Sequence, residues 1–303
     1  MALGITLAAL SFLSTAARAA SDDGGFLDAS TLGQVREMQS AARQIPRPAL
    51  PSGAEASRQA AFGRATDSER EAFRAMPHDA AAVAAAGAAL SGKPLNGILD
   101  FEKTAFRTMP HDAAAVAAAG AALSGKPLDE ILNSEREAFK KMTHLAAARV
   151  AVAAAISGKP LDSVIRDEAV AFRTMPHEAA ALAAAGAALS GKPLDDLLRD
   201  EAVAFRTMPH EAAARIALGA AISGKSAAGL IDAQAVAYRS MTHDAAALTA
   251  AAAALSDIPL SELISTEASA FRGMPHEPAA RVTAGSALAG GAASPAQKAA
   301  LLL

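Results

Sequence analysis

Seven histidines recur along the chain at a constant interval of 33 residues, and they are the side chains best suited to chemistry. Histidine binds metals and acts as a general base near neutral pH, so a regular row raises both hypotheses. An acidic residue directly follows six of the seven histidines, and a Glu lies nine residues before six of them. The seven are His78, His111, His144, His177, His210, His243 and His276.

The spacing of these histidines argues against both hypotheses. Equivalent residues on stacked helices lie about 8–10 Å apart, whereas ligands of one zinc ion must lie within about 4 Å of one another. One copy also lacks the following acid, because Leu145 comes after His144. A sevenfold identical array is a poor basis for an asymmetric reaction site, and no nucleophile–base pair or phosphate loop accompanies it. We therefore expect structural histidines, no metal, no cofactor and no enzymatic activity.

The glutamates nine residues before each histidine fall on the apolar stripe of a predicted helix. A carboxylate there is costly unless it is paired, so we expect each to meet a His or Arg of its own or the adjoining repeat. Gln replaces Glu in the sixth repeat. A Met two residues before each histidine and an aromatic five residues before it are predicted to be core. The acids and the amide are Glu69, Glu102, Glu135, Glu168, Glu201, Gln234 and Glu267.

The residue pattern within each 33-residue unit predicts two helices, and these position the side chains named above. The first helix has an apolar stripe of 3.6-residue period, such as Leu194, Leu197 and Phe205. Pro, or Thr in two repeats, then starts a second helix that is nearly all Ala, with a Gly in five repeats that lets helices approach closely. A Ser-Gly-Lys turn ends it, since Gly suits the C-terminal cap. No strand-like alternation is present. The sequence predicts an all-α, right-handed α-solenoid of about seven two-helix repeats, capped at both ends.

The 33-residue length and helix-turn-helix plan resemble the tetratricopeptide class, without its Trp, Gly-Tyr and Pro signature residues. "TMPHEAA" is similar to the ankyrin "TPLHxAA", but the second helix leaves no room for an ankyrin hairpin. "SGKP" is similar to the "GGK" turn of plant-pathogen DNA-binding effector repeats. These resemblances imply a generic helical-repeat array of no specific family, and no functional residue is carried over from them.

The two ends of the chain differ from the repeats. Residues 1–20 have an apolar run and an A-x-A site that resemble an export leader without its basic start. Residues 21–62 predict a helix and a Pro- and Ser-rich linker, residues 63–291 the repeats, and residues 292–303 a C-terminal cap or tail. The chain has no Cys. We expect a secreted protein, released by leader cleavage or a specialised secretion system, with the periplasm as alternative, and no membrane span in the mature chain.

A protein-interaction scaffold is the function that this pattern favours, as an exported bacterial protein of effector type that offers its concave face to another protein, such as one of a host. We expect it to be monomeric. Arg replaces an apolar residue in the third, fifth and seventh repeats, and we expect Arg149, Arg215 and Arg281 to point outward about 20 Å apart and bind an acidic partner. Nucleic-acid binding is the alternative, although the net charge of −3 disfavours it. It would use the turn lysines Lys93, Lys126, Lys159, Lys192 and Lys225.

Overall fold

The computed structural model describes residues 52–256, 258–289 and 293–303. The proposed leader lies outside the described residues, as does most of the segment 21–62. Chain contacts divide the protein into two units, Met1–Glu55 and Ala56–Leu303, and the second unit contains the repeats. No strand occurs in the part of the chain that the structure describes, which confirms the all-α prediction. Nor is any helix there long and apolar enough to cross a membrane.

Fifteen helices are present among the described residues, and fourteen of them form seven pairs. The first helix of each pair is an outer helix: α1 Ser52–Ala72, α3 Leu95–Ala105, α5 Leu128–Phe139, α7 Leu161–Ala171, α9 Leu194–Ala204, α11 Ala227–Ala237 and α13 Leu260–Ala270. The second is an inner helix: α2 His78–Ser91, α4 His111–Ser124, α6 His144–Ser157, α8 His177–Ser190, α10 His210–Ser223, α12 His243–Leu255 and α14 His276–Leu288. The last helix, α15 Pro295–Leu302, stands alone. We number the repeats 1 to 7 by their histidines, so that repeat 1 contains His78. The α-solenoid of seven two-helix repeats is confirmed.

Capping residues begin and end the helices where the sequence predicts. Thr143 and Thr242 accept hydrogen bonds from Ala146 and Ala245 and so cap their inner helices. Glycine ends the first five inner helices with φ of 70–71°, in the left-handed region that only glycine adopts without strain. One boundary differs from the prediction. Helix α1 begins at Ser52, so the end of the predicted linker belongs to the first outer helix.

The inner helices close into a ring. Each inner helix packs against the next, and α14, the last, packs against α2, the first. The Cβ of a side chain at Gly285 in α14 would lie 2.9 Å from the Ala86 Cα in α2, so the two backbones touch. The Arg58 Nε donates to the Glu262 carboxylate at 3.1 Å between α1 and α13. The two ends of the array, expected to need separate caps, therefore cover each other.

The small residues of the inner helices explain why these helices pack closely in the ring. Each inner helix contacts two inner neighbours, at least one outer helix and α15, so it is buried almost all round. Such a helix needs small residues rather than one apolar stripe, because every direction is a helix–helix contact. Residues Ala80 to Ala86 of α2, for example, are all buried. The outer helices keep an apolar stripe because only one side of them is covered.

Helix α15 fills the centre of the ring. It contacts all seven inner helices, and Leu301, Leu302 and Leu303 at its end are fully buried. The Ser294 hydroxyl accepts from the Gln297 N–H and caps its start. The Arg281 Nη1 near the start of α14 donates to the Leu302 carbonyl at 2.8 Å, so α15 runs antiparallel to the inner helices. The segment predicted to be a cap or tail is therefore the core of the ring.

Candidate functional site

The seven histidines take part in a repeated structural contact. In six repeats the imidazole Nδ1 lies 2.7–2.8 Å from the carboxylate of the Glu nine residues earlier, and in repeat 6 it lies 3.0 Å from the Gln234 amide nitrogen. The six carboxylates are only 1–4% exposed. The predicted pairing of buried glutamates is confirmed, within each repeat. In repeat 4, burial raises the pKa of the Glu168 carboxyl despite the opposing hydrogen bond from His177.

An aromatic ring stacks on each imidazole. Ring centroids are 3.5–3.7 Å apart, and the two planes differ by 5–17°. The imidazole covers one side of the aromatic ring and leaves it 42–47% exposed, so the prediction that this row is core is wrong. The methionine row is buried as predicted. The exposed row consists of Phe73, Phe106, Phe139, Phe172, Phe205, Tyr238 and Phe271.

Metal-binding geometry does not occur among these groups. Within residues 52–256, 258–289 and 293–303, no three His, Asp or Glu side chains come together as a metal ion would require. Each histidine meets one acid or amide of its own repeat, and that contact holds the outer helix against the inner one. The arrangement is that of a packing device repeated seven times.

The three arginines expected on the outer surface lie inside the ring. Arg149, Arg215 and Arg281 are 2%, 2% and 5% exposed, so their predicted outward orientation is wrong. Their predicted separation along one face is wrong as well. The Arg149 Nη2 donates to the Glu211 Oε1 at 2.6 Å, and the Arg215 Nη2 donates to the same oxygen at 3.2 Å. The ring curves these repeats toward one another, which brings the guanidinium groups around shared carboxylates.

Electrostatics in this cluster follow from its burial. Burial acts to raise the pKa of Glu211, but Arg149 and Arg215 outweigh it and lower the pKa to about 2. Burial lowers the pKa of Arg281 to about 10, with Arg215 adding to the effect. The three guanidinium groups are therefore buried charges inside the ring, and the carboxylates of Glu211 and Glu277 offset them. Partner binding by these arginines stays a prediction, and a partner would have to enter the ring to reach them.

The concave surface expected to bind a partner is the inside of the ring, and α15 occupies it. The turn lysines form no uniform basic row either. The Lys159 and Lys225 Nζ atoms donate to the Ala187 and Ala253 carbonyls near the ends of the following inner helices. Lys126 pairs with Glu130. Three of the five lysines are thus engaged within the protein.

A surface that sequence reasoning missed lies on the outer helices of repeats 4 to 6. The valines of this surface are the only large aliphatic side chains exposed in the described part of the chain, and they occupy one position in three consecutive repeats. An exposed Ala precedes each, and an exposed aromatic follows two residues later. We call this set the apolar face: Ala169, Val170, Phe172, Ala202, Val203, Phe205, Ala235, Val236 and Tyr238.

The other four repeats carry a polar residue at the position of the valine, and three of them also at the position of the alanine. Repeats 1 and 3 have Arg-Glu pairs, repeat 2 has Lys-Thr, and repeat 7 has Ala-Ser. A comparison of repeats at the eighth and seventh residues before each histidine could have found the difference. Its meaning depends on exposure, which the sequence leaves open.

Fold and surface together define a closed α-solenoid whose helical-repeat architecture fits a protein-interaction scaffold. A scan against protein-family models matches no family, and a search of curated proteins finds no match. The array is thus a helical-repeat protein of no specific family.

Proposed function

We propose that this protein is a protein-interaction scaffold that binds a partner through the apolar face. The observation that carries the proposal is the exposure of Val170, Val203 and Val236, at 42–49%, on three consecutive outer helices. Exposed apolar side chains grouped on one surface mark an interaction site, whereas isolated ones are ordinary. Stability of the ring does not require valine there, because Glu71 and Glu137 occupy the same position in repeats 1 and 3.

Repeat architecture supports the same proposal. Near-identical repeats place equivalent side chains side by side and so provide an extended binding surface. With its interior filled by α15, the ring offers its outer helices for binding. The proposed role is non-enzymatic, since each histidine is engaged by an acid or amide of its own repeat and a stacked aromatic ring.

Export is part of the proposal and rests on the sequence of residues 1–20. We propose that the protein leaves a bacterial cell, by leader cleavage or a specialised secretion system, and acts as an effector on a host protein. Mass spectrometry of the culture medium and of cell fractions tests this. Detection outside the cell supports it, and protein with intact Met1 confined to the cytoplasm contradicts it.

Site-specific photo-crosslinking tests the proposed binding surface. A photoreactive residue at Val203 is expected to form a discrete adduct with a protein from host extract, because Val203 lies at the centre of the apolar face. The matched control is the same residue at Thr104, the equivalent position in repeat 2. Equal adducts at both positions, or none at Val203, would contradict the proposal.

A further inference from the structure

We propose that a groove beside the outer helix α1 binds a carboxylate with an apolar chain, in the class of medium-chain fatty acids. The groove lies between α1, the end of the inner helix α2 and the turn that leads into α3. The last residue described after α14, Ala289, also lines it, so we call it the seam groove. Its volume is about 580 Å³, within the range of about 300–1,000 Å³ that small-molecule sites occupy. The site goes beyond the proposed function, because it involves none of the residues of the apolar face.

One small side chain in α1 opens the seam groove. Ala65 occupies a position at which every other repeat has a large, buried aliphatic residue. In repeat 2 that residue is Ile98, which packs in one cluster with Ala122 of its own inner helix. Alanine is too short to provide the same cover, so Ala89, the equivalent of Ala122 in repeat 1, is only partly buried. The aliphatic residues of the other repeats are Ile98, Ile131, Val164, Leu197, Leu230 and Leu263.

Alanines of both helices form the floor of the seam groove. The side of α1 that lines it runs from Ser57 to Ser68, which is about 16 Å of helix. A hydrocarbon chain suits such a long apolar surface, because it makes van der Waals contact along its whole length and has no polar group to satisfy. The alanines are Ala61, Ala65, Ala85, Ala88 and Ala89.

Cations line the edge of the same groove. Arg64 and Lys93 are both exposed, and neither side chain forms an ion pair within the described residues. Arg58 is the third cation, and it donates to the Glu262 carboxylate at 3.1 Å. No acidic side chain is among the described residues that line the groove.

The four acids of α1 lie outside this lining. Glu69 is paired with the histidine of its repeat, and Asp67 pairs with Arg70 at 3.1 Å. Glu55 and Glu71 do not line the groove either. The charge that faces the seam groove is therefore positive, although the helix as a whole carries more acids than bases.

An apolar floor and a positive edge together select an amphipathic anion. The Arg64 guanidinium can hold one carboxylate through two parallel hydrogen bonds, and Lys93 adds a second positive charge. The chain of the ligand removes alanine surface from water, which contributes the apolar part of the binding free energy. An alcohol of the same length lacks the charge contact, and an ammonium ion of the same length is repelled.

Titration calorimetry of the full chain with three ligands of equal chain length tests the inference. The ligands are decanoate, decanol and decyltrimethylammonium. Decanoate is expected to bind with an affinity that falls as salt is added, and to raise the melting temperature of the protein. Decanol is expected to bind at least about tenfold more weakly, because it makes no charge-assisted hydrogen bond. Decyltrimethylammonium should give no binding.

Substitutions that are native to other repeats locate the binding. Ala65→Leu introduces the residue of repeats 5 to 7 and fills the groove, so it should weaken decanoate at least about tenfold. Arg64→Glu introduces the residue of repeats 3 and 7 at the surface, and should weaken decanoate by a similar factor. Lys93→Ala should weaken it as well, whereas the matched control Lys192→Ala, at the equivalent turn of repeat 4, should leave binding unchanged. Circular dichroism and thermal unfolding check that each variant stays folded.

Three results would overturn the inference. Absence of decanoate binding to the full chain refutes it directly. Equal affinities for decanoate and decanol would show that the cations do not select the ligand. Decanoate binding that survives both Ala65→Leu and Arg64→Glu in folded protein would place the ligand elsewhere on the chain. Crosslinking at Val203 is a separate measurement, so either proposal can fail without the other.

Discussion

Replacement of Gly285 by Ala distinguishes a closed ring from an open array, because it lowers the free energy of unfolding in the ring and raises it in the open array. In an open array Gly285 would lie on the last helix with no neighbour on that side. An Ala there would stabilise the helix by about 0.5–1 kcal/mol, because glycine loses more backbone entropy on folding. In the ring, the added Cβ would lie 2.8 Å from the Ala86 Cβ and 2.9 Å from its Cα. Backbone of α2 or α14 must therefore move.

The size of the effect follows from this contact. Forcing a methyl group into a well-packed core costs about 1–3 kcal/mol, which exceeds the gain in helix propensity. The net change in the free energy of unfolding is therefore destabilising, by up to about 2 kcal/mol. In a unit of this size each kcal/mol shifts the melting temperature by about 2–4 °C. Gly285→Ala is expected to lower the melting temperature by several degrees.

Two matched substitutions make the measurement interpretable. Gly87→Ala, where the Cβ would lie 2.5 Å from the Ala119 Cβ, should destabilise in either architecture. Gly97→Ala, on the exposed side of α3 with nothing within 4 Å, should stabilise in either. Thermal unfolding followed by circular dichroism ranks the three. If Gly285→Ala stabilised the protein as Gly97→Ala does, the ring closure would be wrong.

Three further perturbations test the interior. Glu211→Gln removes the charge that Arg149 and Arg215 share and should cost about 3 kcal/mol in urea unfolding at neutral pH. Since the Glu211 pKa falls from 4.5 to about 2 on folding, its stabilisation is complete above pH 4.5 and is lost as the pH falls toward 2. The difference between wild type and variant should shrink over that range, and a constant difference would contradict the pairing. Leu302→Ala, at a residue 0% exposed, should cost about 2–5 kcal/mol in the same assay, whereas a change under 0.5 kcal/mol, about the surface-site range, would mean that α15 does not fill the ring. Glu201→Gln should cost less than Glu201→Ala by about 1 kcal/mol in melting experiments, because Gln234 already makes the equivalent contact with His243, and equal losses would refute the pairing role.

Local features of the fold were predictable from the amino-acid sequence because each depends on a few neighbouring residues. The interval between histidines sets one helix pair per 33 residues, and Gly at the turns marks the left-handed caps. A Glu on an apolar stripe must be paired to be buried, and the His nine residues later forms that pair. Close packing at Gly87 was predictable for the same reason, since a Gly lets a neighbouring helix approach closely at that position.

Ring closure depends on the sum of the rotations between successive repeats, and a single repeat does not show that sum. Each of the seven repeats must turn the stack by one seventh of a circle, and small packing angles accumulate until α14 meets α2. The arginines illustrate the consequence. The repeat pattern alone predicts an outward-pointing Arg149, whereas ring closure places it in the interior beside Glu211. Helix α15 and the exposed apolar face likewise acquire their roles only when the ring determines which surfaces are enclosed and which remain in water.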